Sequence, residues 1–450
     1  MTHRTALLIS LTSIGIVSLG LLSACGPGDG CEVTQTCKTG PAGAGGGTGT
    51  GGPGGGGPGG SGGNGGTGAG GSGGGSTCGN GSVDAGEVCF GEVDVYDTDP
   101  LVNPAPGSDV VLVDCEGDGD LDVVSHIDAY LNFLRNDGAG NLTELSTYDL
   151  PSDSTGLSAG NIDANAGDEL LVTYNSAYTD IMGLDGCTGE LLGVLYHNGP
   201  SGTVPHGTPV NVNNGGVEDY AILMNSTLAF GIDGQTSPTE IDSSCAIGTA
   251  VVAAPFRTGG FDDLVYADAG TGVIRWAKSN GSALQNSFND QIEVDSSPIA
   301  LAPGDLDGDG DPDVVVLDEL AASVTILRNN SGPTNLQFSK LVPAVSVTGT
   351  NGVHAAGPTA IAVADVDNDG DLDVVTANTD DGPGQSSISL LLNDGDANFL
   401  LASGFPLEVP RRPTGVAAAD LNSDGAVDIV TAHDFNDAGT RHIGVLLAQP

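Results

Sequence analysis

The chain has 450 residues, of which 58 are Asp or Glu and only 11 are Lys or Arg, giving a formal net charge of −47. Such a surface repels nucleic acid and anionic lipid and predicts affinity for cations. Gly is abundant, at 74 residues, but unevenly spread, which separates a flexible segment from a foldable one.

The first element in chain order is a targeting segment. Arg4 is the only charged side chain before an apolar run, Ala6 to Leu22, that ends in Leu22-Ser23-Ala24-Cys25. This ending resembles the lipobox of bacterial lipoproteins. The resemblance implies that residues 1–24 are a signal peptide and that Cys25 carries a diacylglycerol. The competing reading is a transmembrane anchor, because the run lies near the lower length limit for spanning a bilayer. Residues 25–40 form a lipidated N-terminal segment on the first reading. Residues 41–76 hold 23 glycines and cannot bury a core; as a coil they reach roughly 30–36 Å. The folded part is therefore expected beyond the cytoplasm, held at the outer membrane by its lipid alone, on the periplasmic side or the cell surface.

Cysteine use fits an oxidising compartment. Cys31 and Cys37 can close a small loop, and Cys78 and Cys89 bracket a motif, 77–91, that resembles a short Cys-rich repeat of secreted bacterial proteins. Cys187 and Cys245 are a further candidate pair.

From there the chain repeats. Four nine-residue segments place oxygen-bearing side chains at positions 1, 3, 5 and 9, with Gly at position 6. The first contains Asp114, Glu116, Asp118, Asp120 and Asp122, and the second Asp305, Asp307, Asp309, Asp311 and Asp313. The third contains Asp365, Asp367, Asp369, Asp371 and Asp373, and the fourth Asp420, Asn422, Asp424, Ala426 and Asp428. Calcium takes six to eight oxygens, and a sharp turn at Gly brings them together, with the carbonyl of position 7 as a further ligand. An EF-hand would carry Glu at position 12, where this chain has Ser125, Val316, Thr376 and Thr431. Apolar β-branched runs follow each loop instead of a helix, so the loops join strands. About four calcium ions are expected.

Weaker copies keep the frame. Asn161, Asp163, Asn165 and Glu169 retain the oxygens with two carboxylates, a doubtful site. The copies starting at Asn211 and Pro255 have lost their ligand sets and should bind no metal. The seven frames start at 114, 161, 211, 255, 305, 365 and 420, and units of this length rich in short strands predict a seven-bladed β-propeller of four-stranded blades. In the sixth unit the expected strands are 359–364, 372–377, 387–392 and one ending near Val409, with Asn393-Asp394-Gly395 as a hairpin turn. The last unit has only two strands after its loop, so residues 92–97 should supply its outer strand and close the ring. These residues together resemble the FG-GAP/VCBS repeats of integrin-α-type propellers, over about 92–450. The resemblance implies an all-β calcium-binding propeller whose metal loops join the first two strands of a blade.

Catalytic signals are weak. Gly156-Leu-Ser158-Ala-Gly160 matches a nucleophile elbow, but that motif needs a strand-to-helix turn, whereas Ser158 falls on a first strand. Cys115 occupies loop position 2, apolar in other copies, and reads as a small buried hydrophobe. Five residues after position 9 stand Asp268, Asp318, Asn378 and His433, a polar arc that could dock a partner on the face opposite the metal loops, or simply polar strand ends. The function expected is a monomeric binding, adhesion or scaffold module. Its expected partner is a surface or extracellular protein, with a polysaccharide as the second choice, since one Trp and eight Tyr leave little surface for stacking on sugars. The alternative is a propeller-based hydrolase or polysaccharide lyase.

Overall fold

The computed structural model describes residues 88–449 apart from 89, 92, 100–107, 116, 128, 151–153, 161–168, 175–180, 186–190, 197–205, 214–218, 225–226, 233–237, 295–296, 349–356, 380–385, 411 and 434–440. The expected signal peptide, linker and lipidated Cys25 lie outside the described residues, as do Cys31, Cys37, Cys78 and Cys89. No helix of the described residues is long and apolar enough to cross a membrane.

Runs such as Val314-Val315-Val316 and Val374-Val375 dictate the local structure. Continuous β-branched residues, apolar without alternation, suit a strand covered on both faces. All six residues of Asp313–Asp318 and of Asp373–Asn378 are indeed buried. Among the described residues the strands form seven sheets, called blades below in chain order, with strands a to d within each.

Blade 1 is Ser108–Val113, Asp122–Ile127, Tyr130–Asn136 and Leu142–Asp149; blade 2 is Ser154–Gly160, Glu169–Tyr174, Ile181–Asp185 and Leu191–Tyr196. Blade 3 is His206–Val210, Asp219–Met224, Thr227–Gly231 and Thr239–Asp242; blade 4 is Gly248–Ala254, Asp263–Asp268, Val273–Ser279 and Leu284–Glu293. Blades 5 and 6 begin with Pro298–Gly304, Asp313–Asp318 and Ser323–Asn329, and with Pro358–Ala364, Asp373–Asn378 and Ser387–Asn393. Their outer strands come in two pieces each, Phe338–Lys340 with Val345–Ser346, and Phe399–Leu401 with Leu407–Glu408. The single outer strand expected up to Val409 is thus divided: Pro343 and Pro406 fall between the pieces, where no ladder donor is available.

The a strands neighbour one another in the order of the blades, and blade 7 returns to blade 1. Apolar clusters fill the seams between successive sheets. Val111, Phe133, Leu157 and Leu170 pack between blades 1 and 2, Leu171 and Ile222 between 2 and 3, and Leu223 and Tyr266 between 3 and 4. Trp276, Phe256 and Phe338 pack edge-on at the seam of blades 4 and 5. One larger cluster spans blades 5 to 7, and Val110, Leu112, Val430 and Ile443 join 7 to 1. The core is therefore a ring of interfaces. Near the axis, where strands converge, side chains shrink: a Cβ on Gly415 would stand 3.0 Å from the Cα of Asp109.

Blade 7 closes the ring as expected. Its strands are Pro413–Ala419, Asp428–His433, Arg441–Leu446 and, outermost, Asp94–Asp99. Val95 opposes Gly444 and Tyr96 opposes Ile443 in antiparallel register. The pairing continues upstream, since Phe90 bridges Ala448 and Gly91 N donates to Leu447 O (2.9 Å).

Candidate metal-binding loops

Each a–b hairpin ends in the nine-residue frame. Gly at position 6 is left-handed in all four strong copies, with φ of 98° at Gly119, 94° at Gly310, 101° at Gly370 and 91° at Gly425; only Gly adopts this at low cost. The position-1 carboxylate wraps the turn. Asp365 accepts from Asp369 N and Gly370 N (3.0 Å each), and Gly119, Gly310 and Gly425 donate likewise to Asp114, Asp305 and Asp420. Position 5 accepts from the amide of position 7 in every copy, as in Asp311 N to Asp309 (3.0 Å). The side chain of position 7 turns away: Asp371 Oδ2 lies 2.6 Å from where a Cβ would sit on Gly395 of the hairpin turn.

Two loops gather three carboxylates. Oxygens of Asp305, Asp307 and Asp309 lie within 4.8 Å of one another, as do those of Asp365, Asp367 and Asp373. Each cluster contains a buried oxygen that no donor reaches, Asp305 Oδ1 and Asp367 Oδ1. A buried acceptor without a partner is costly, and each cluster has the oxygen donors to hold a cation. Burial raises the pKa values of these carboxyls, helped by neighbouring carboxylates: Asp313 and Asp373 are pushed up to about 7 and Asp367 to about 6. Burial also lifts Asp428 to about 6. Arg328 Nε already faces the fifth-blade cluster, 2.8 Å from Asp307 Oδ2. In the first loop Glu116 lies outside the described residues, and in the last Asn422 stands in place of a carboxylate.

Position 9 has a second duty. Its Oδ2 accepts from the amide of position 2, at Cys115, Val212, Leu306, Val366 and Leu421 (2.8–3.2 Å). Its Oδ1 accepts from the residue ending strand c, at Asn136, Ser279, Asn329 and Asn393 (2.7–2.9 Å). That residue's side chain then reaches the preceding blade. Asn136 Nδ2 donates to Leu421 O (2.7 Å), Asn329 Nδ2 to Phe256 O (2.8 Å), Asn393 Nδ2 to Leu306 O (2.8 Å) and Ser279 Oγ to Val212 O (2.9 Å). Every one of these acceptors is position 2 of a loop. Sequence reasoning missed this latch: the signal was the Asn of Asn-Asp-Gly, read only as a turn former.

Other expected residues fall differently. Asn161, Asp163 and Asn165 lie outside the described residues, while Glu169 is buried at the start of its strand. Asp268, Asp318, Asn378 and His433 do end the b strands, but as a docking arc they require correction. They are 0 %, 1 %, 0 % and 0 % exposed. Asp268 accepts from Ile247 N and Thr271 Oγ1 and pairs with Arg275 (3.6 Å), and Asp318 accepts from Ser297 N and Ala321 N. Asn378 accepts from Thr376 Oγ1, and His433 stacks on His442 at 4.4 Å. Asp268 and Asp318 tie local turns, because strand ends must satisfy their own backbone, while Asn378 and His433 bond to buried strand side chains. The Cys187–Cys245 pair is also corrected. Cys245 is a free, buried thiol, pushed up to about 12 by burial and by Asp242 and Asp268, whereas Cys187 lies outside the described residues. Cys115 packs with Val113 and Leu170, as a small hydrophobe should. Ser158 is fully buried within strand a, with strand residues on either side of it, and donates to Gly207 O (3.1 Å).

Three FG-GAP-like repeats match residues 260–316, 305–376 and 365–431. No curated protein matches the chain. Among solved structures, BBS1N, crystallised with ARL6DN, aligns with a TM-score of 0.51 at 11% identity, covering 82% of this chain and 98% of its own. A candidate 6-phosphogluconolactonase from Bacteroides uniformis aligns with a TM-score of 0.50 at 13% identity, covering 76% and 97%. At these identities the likeness is one of fold. The chain is an all-β propeller-like protein with FG-GAP-like repeats within residues 260–431.

Proposed function

We propose that this chain is a calcium-stabilised binding or scaffold lipoprotein of the bacterial cell envelope. The observation that carries the reading is the pair of Asp clusters with a stranded buried oxygen in each, Asp305 Oδ1 and Asp367 Oδ1. Hard carboxylate oxygens gathered on a sharply turned loop suit calcium, with Asp305, Asp307 and Asp309 or Asp365, Asp367 and Asp373 supplying side-chain ligands. The calcium would neutralise like charges that otherwise repel at 4.8 Å or less. Because it binds the folded loops alone, it would stabilise the ring by mass action.

The likeness to FG-GAP repeats favours a scaffold over a catalyst. The partner surface we favour is the face opposite the metal loops, where Ile247 and Leu320 stand 55 % and 75 % exposed. Lipid on Cys25 and the glycine-rich stretch would hold that face clear of the membrane, open to a protein partner.

Calcium added to the metal-stripped protein should bind at about four sites, with affinities of roughly 10⁻⁴–10⁻³ M, and raise the melting temperature. Calorimetry that detects no uptake would reduce the loops to turns and remove calcium from the function. Capture of envelope proteins with and without calcium tests the partner reading.

A further inference from the structure

We infer that Arg257 is the built-in cation of the fourth blade, which makes that blade the metal-independent keystone of the ring. The loop from Pro255 to Asp263 keeps the turn, with Gly260 left-handed at position 6 (φ 81°). It has lost the anions: Pro255 stands at position 1 and Gly259 at position 5, and position 3 has changed sign, from Asp307 and Asp367 in the next two blades to Arg257.

The guanidinium lies on the one carboxylate that remains. Arg257 Nη2 donates to Asp263 Oδ1 (2.6 Å) and Nε to Asp263 Oδ2 (2.8 Å), a bidentate pair of the strong kind. Nη2 also donates to Ser279 O (2.6 Å). Asp263 is fully buried and Arg257 partly so, its side chain 14 % exposed. In five other blades the Oδ2 of position 9 takes the amide of position 2. Here the equivalent amide, Phe256 N, turns to Ala254 O (2.8 Å), and Arg257 Nε occupies its place. Positions 3 and 9, two anions awaiting a cation in blade 6, have become a closed ion pair.

This pair sits between two seams. Asp263 holds Ser279 N, and Ser279 Oγ reaches Val212 O of blade 3. Asp262 and Asn211 exchange two bonds across the same seam, Asn211 N to Asp262 Oδ2 (2.9 Å) and Asp262 N to Asn211 O (2.8 Å). On the other side Asn329 of blade 5 donates to Phe256 O. Blades 3 to 5 would thus stay locked at this loop when the metal-dependent loops relax. Only that contrast with other blades rests on the calcium reading; the role of Arg257 does not.

The test is hydrogen exchange on the full chain in calcium and in chelator, for the native protein, Arg257→Gln and Arg257→Gln/Asp263→Asn. In the native protein the amides of Asp262 and Ser279 should keep their protection in chelator, while those of Leu306 and Val366 lose about tenfold or more. In Arg257→Gln the amides of Asp262 and Ser279 should lose about as much with calcium present as without it. The double variant, freed of a buried lone carboxylate, should melt higher than the single one. Loss of protection at Ser279 alongside Leu306 in the native protein would overturn the inference, as would full protection of Ser279 in Arg257→Gln. If Leu306 and Val366 ignore the chelator, the calcium reading fails while the Arg257→Gln arm still decides this one. Should Arg257→Gln not fold, the native chelation arm and the double variant decide it.

Discussion

At the scale of single residues, the loops were readable because calcium chemistry demands a fixed spacing of oxygens, and the positions of Asp305, Asp307 and Asp309 follow from it. The duties of position 9 were not readable. Whether Asp313 faces a metal or two backbone amides depends on where strand c ends, and no local pattern carries that. Buried histidines were equally hidden. His126 accepts or donates at Ser154 Oγ, and His206 begins strand a of blade 3, both almost fully buried. Burial pushes each of them down to about 3, and for His206 the neighbouring His126 adds to it. A histidine depressed when folded contributes stability above its unfolded value near 6.5, lost as pH falls from there towards 3. Each should cost up to about 1.4 kcal/mol per pH unit over that window. The raised carboxylates Asp313 and Asp373 act oppositely in metal-free protein, losing stability as pH rises through about 7. A comparison at matched pH separates the two. His126→Gln/His206→Gln should show a shallower loss of unfolding free energy between pH 6.5 and 4.5 than the native protein, by denaturant titration. Parallel slopes would show that neither histidine is neutral by burial.

At the scale of elements, strands were legible where apolar runs and turn residues agree, as in Ser387–Asn393 with Asn-Asp-Gly at its end. The divided outer strands were not, because an edge strand is shaped by what little it covers, and two prolines decide where pairing stops. The latch also belongs to this scale, since it converts a turn residue into a seam between blades. Asn393 Nδ2 donates both to Leu306 O of the blade before and to Leu372 O of its own (3.1 Å). Asn393→Ala would take one donor from Leu306 O, which keeps Ala397 N (3.1 Å), and one from Leu372 O, at a buried seam, and should cost about 1–3 kcal/mol. Asn398, whose amide meets only the exposed Asp394, should tolerate the same change within about 0.5 kcal/mol. Thermal or denaturant unfolding of the two variants checks the contrast; equal losses would mean that the seam is held by apolar packing and that the latch adds nothing.

The whole molecule was legible from its ends. A last unit one strand short of a blade and an unassigned strand-like stretch near residue 94 imply one another, and the pairing of Asp94–Asp99 with Arg441–Leu446 realises it. What the sequence could not show is how much the ring depends on that strand. Every other blade is built from one continuous stretch, so its strands meet by local hairpins. Blade 7 alone needs residues some 340 positions apart, and joining distant residues carries a chain-entropy cost that local hairpins avoid. In return, the closing strand covers the outer edge of strand c, which would otherwise present unpaired backbone to other chains. A chain shortened to begin at residue 100 keeps six complete blades and all four strong loops, but leaves the edge of Arg441–Leu446 open. It should melt several degrees lower at equal calcium and elute partly as oligomers, since open edges pair. Supplying residues 88–99 as a peptide should restore the monomer and most of the melting temperature. A shortened chain that stays monomeric and melts with the intact one would mean the seam from blade 7 to blade 1, packed through Val110, Val430 and Ile443, closes the ring without its outer strand.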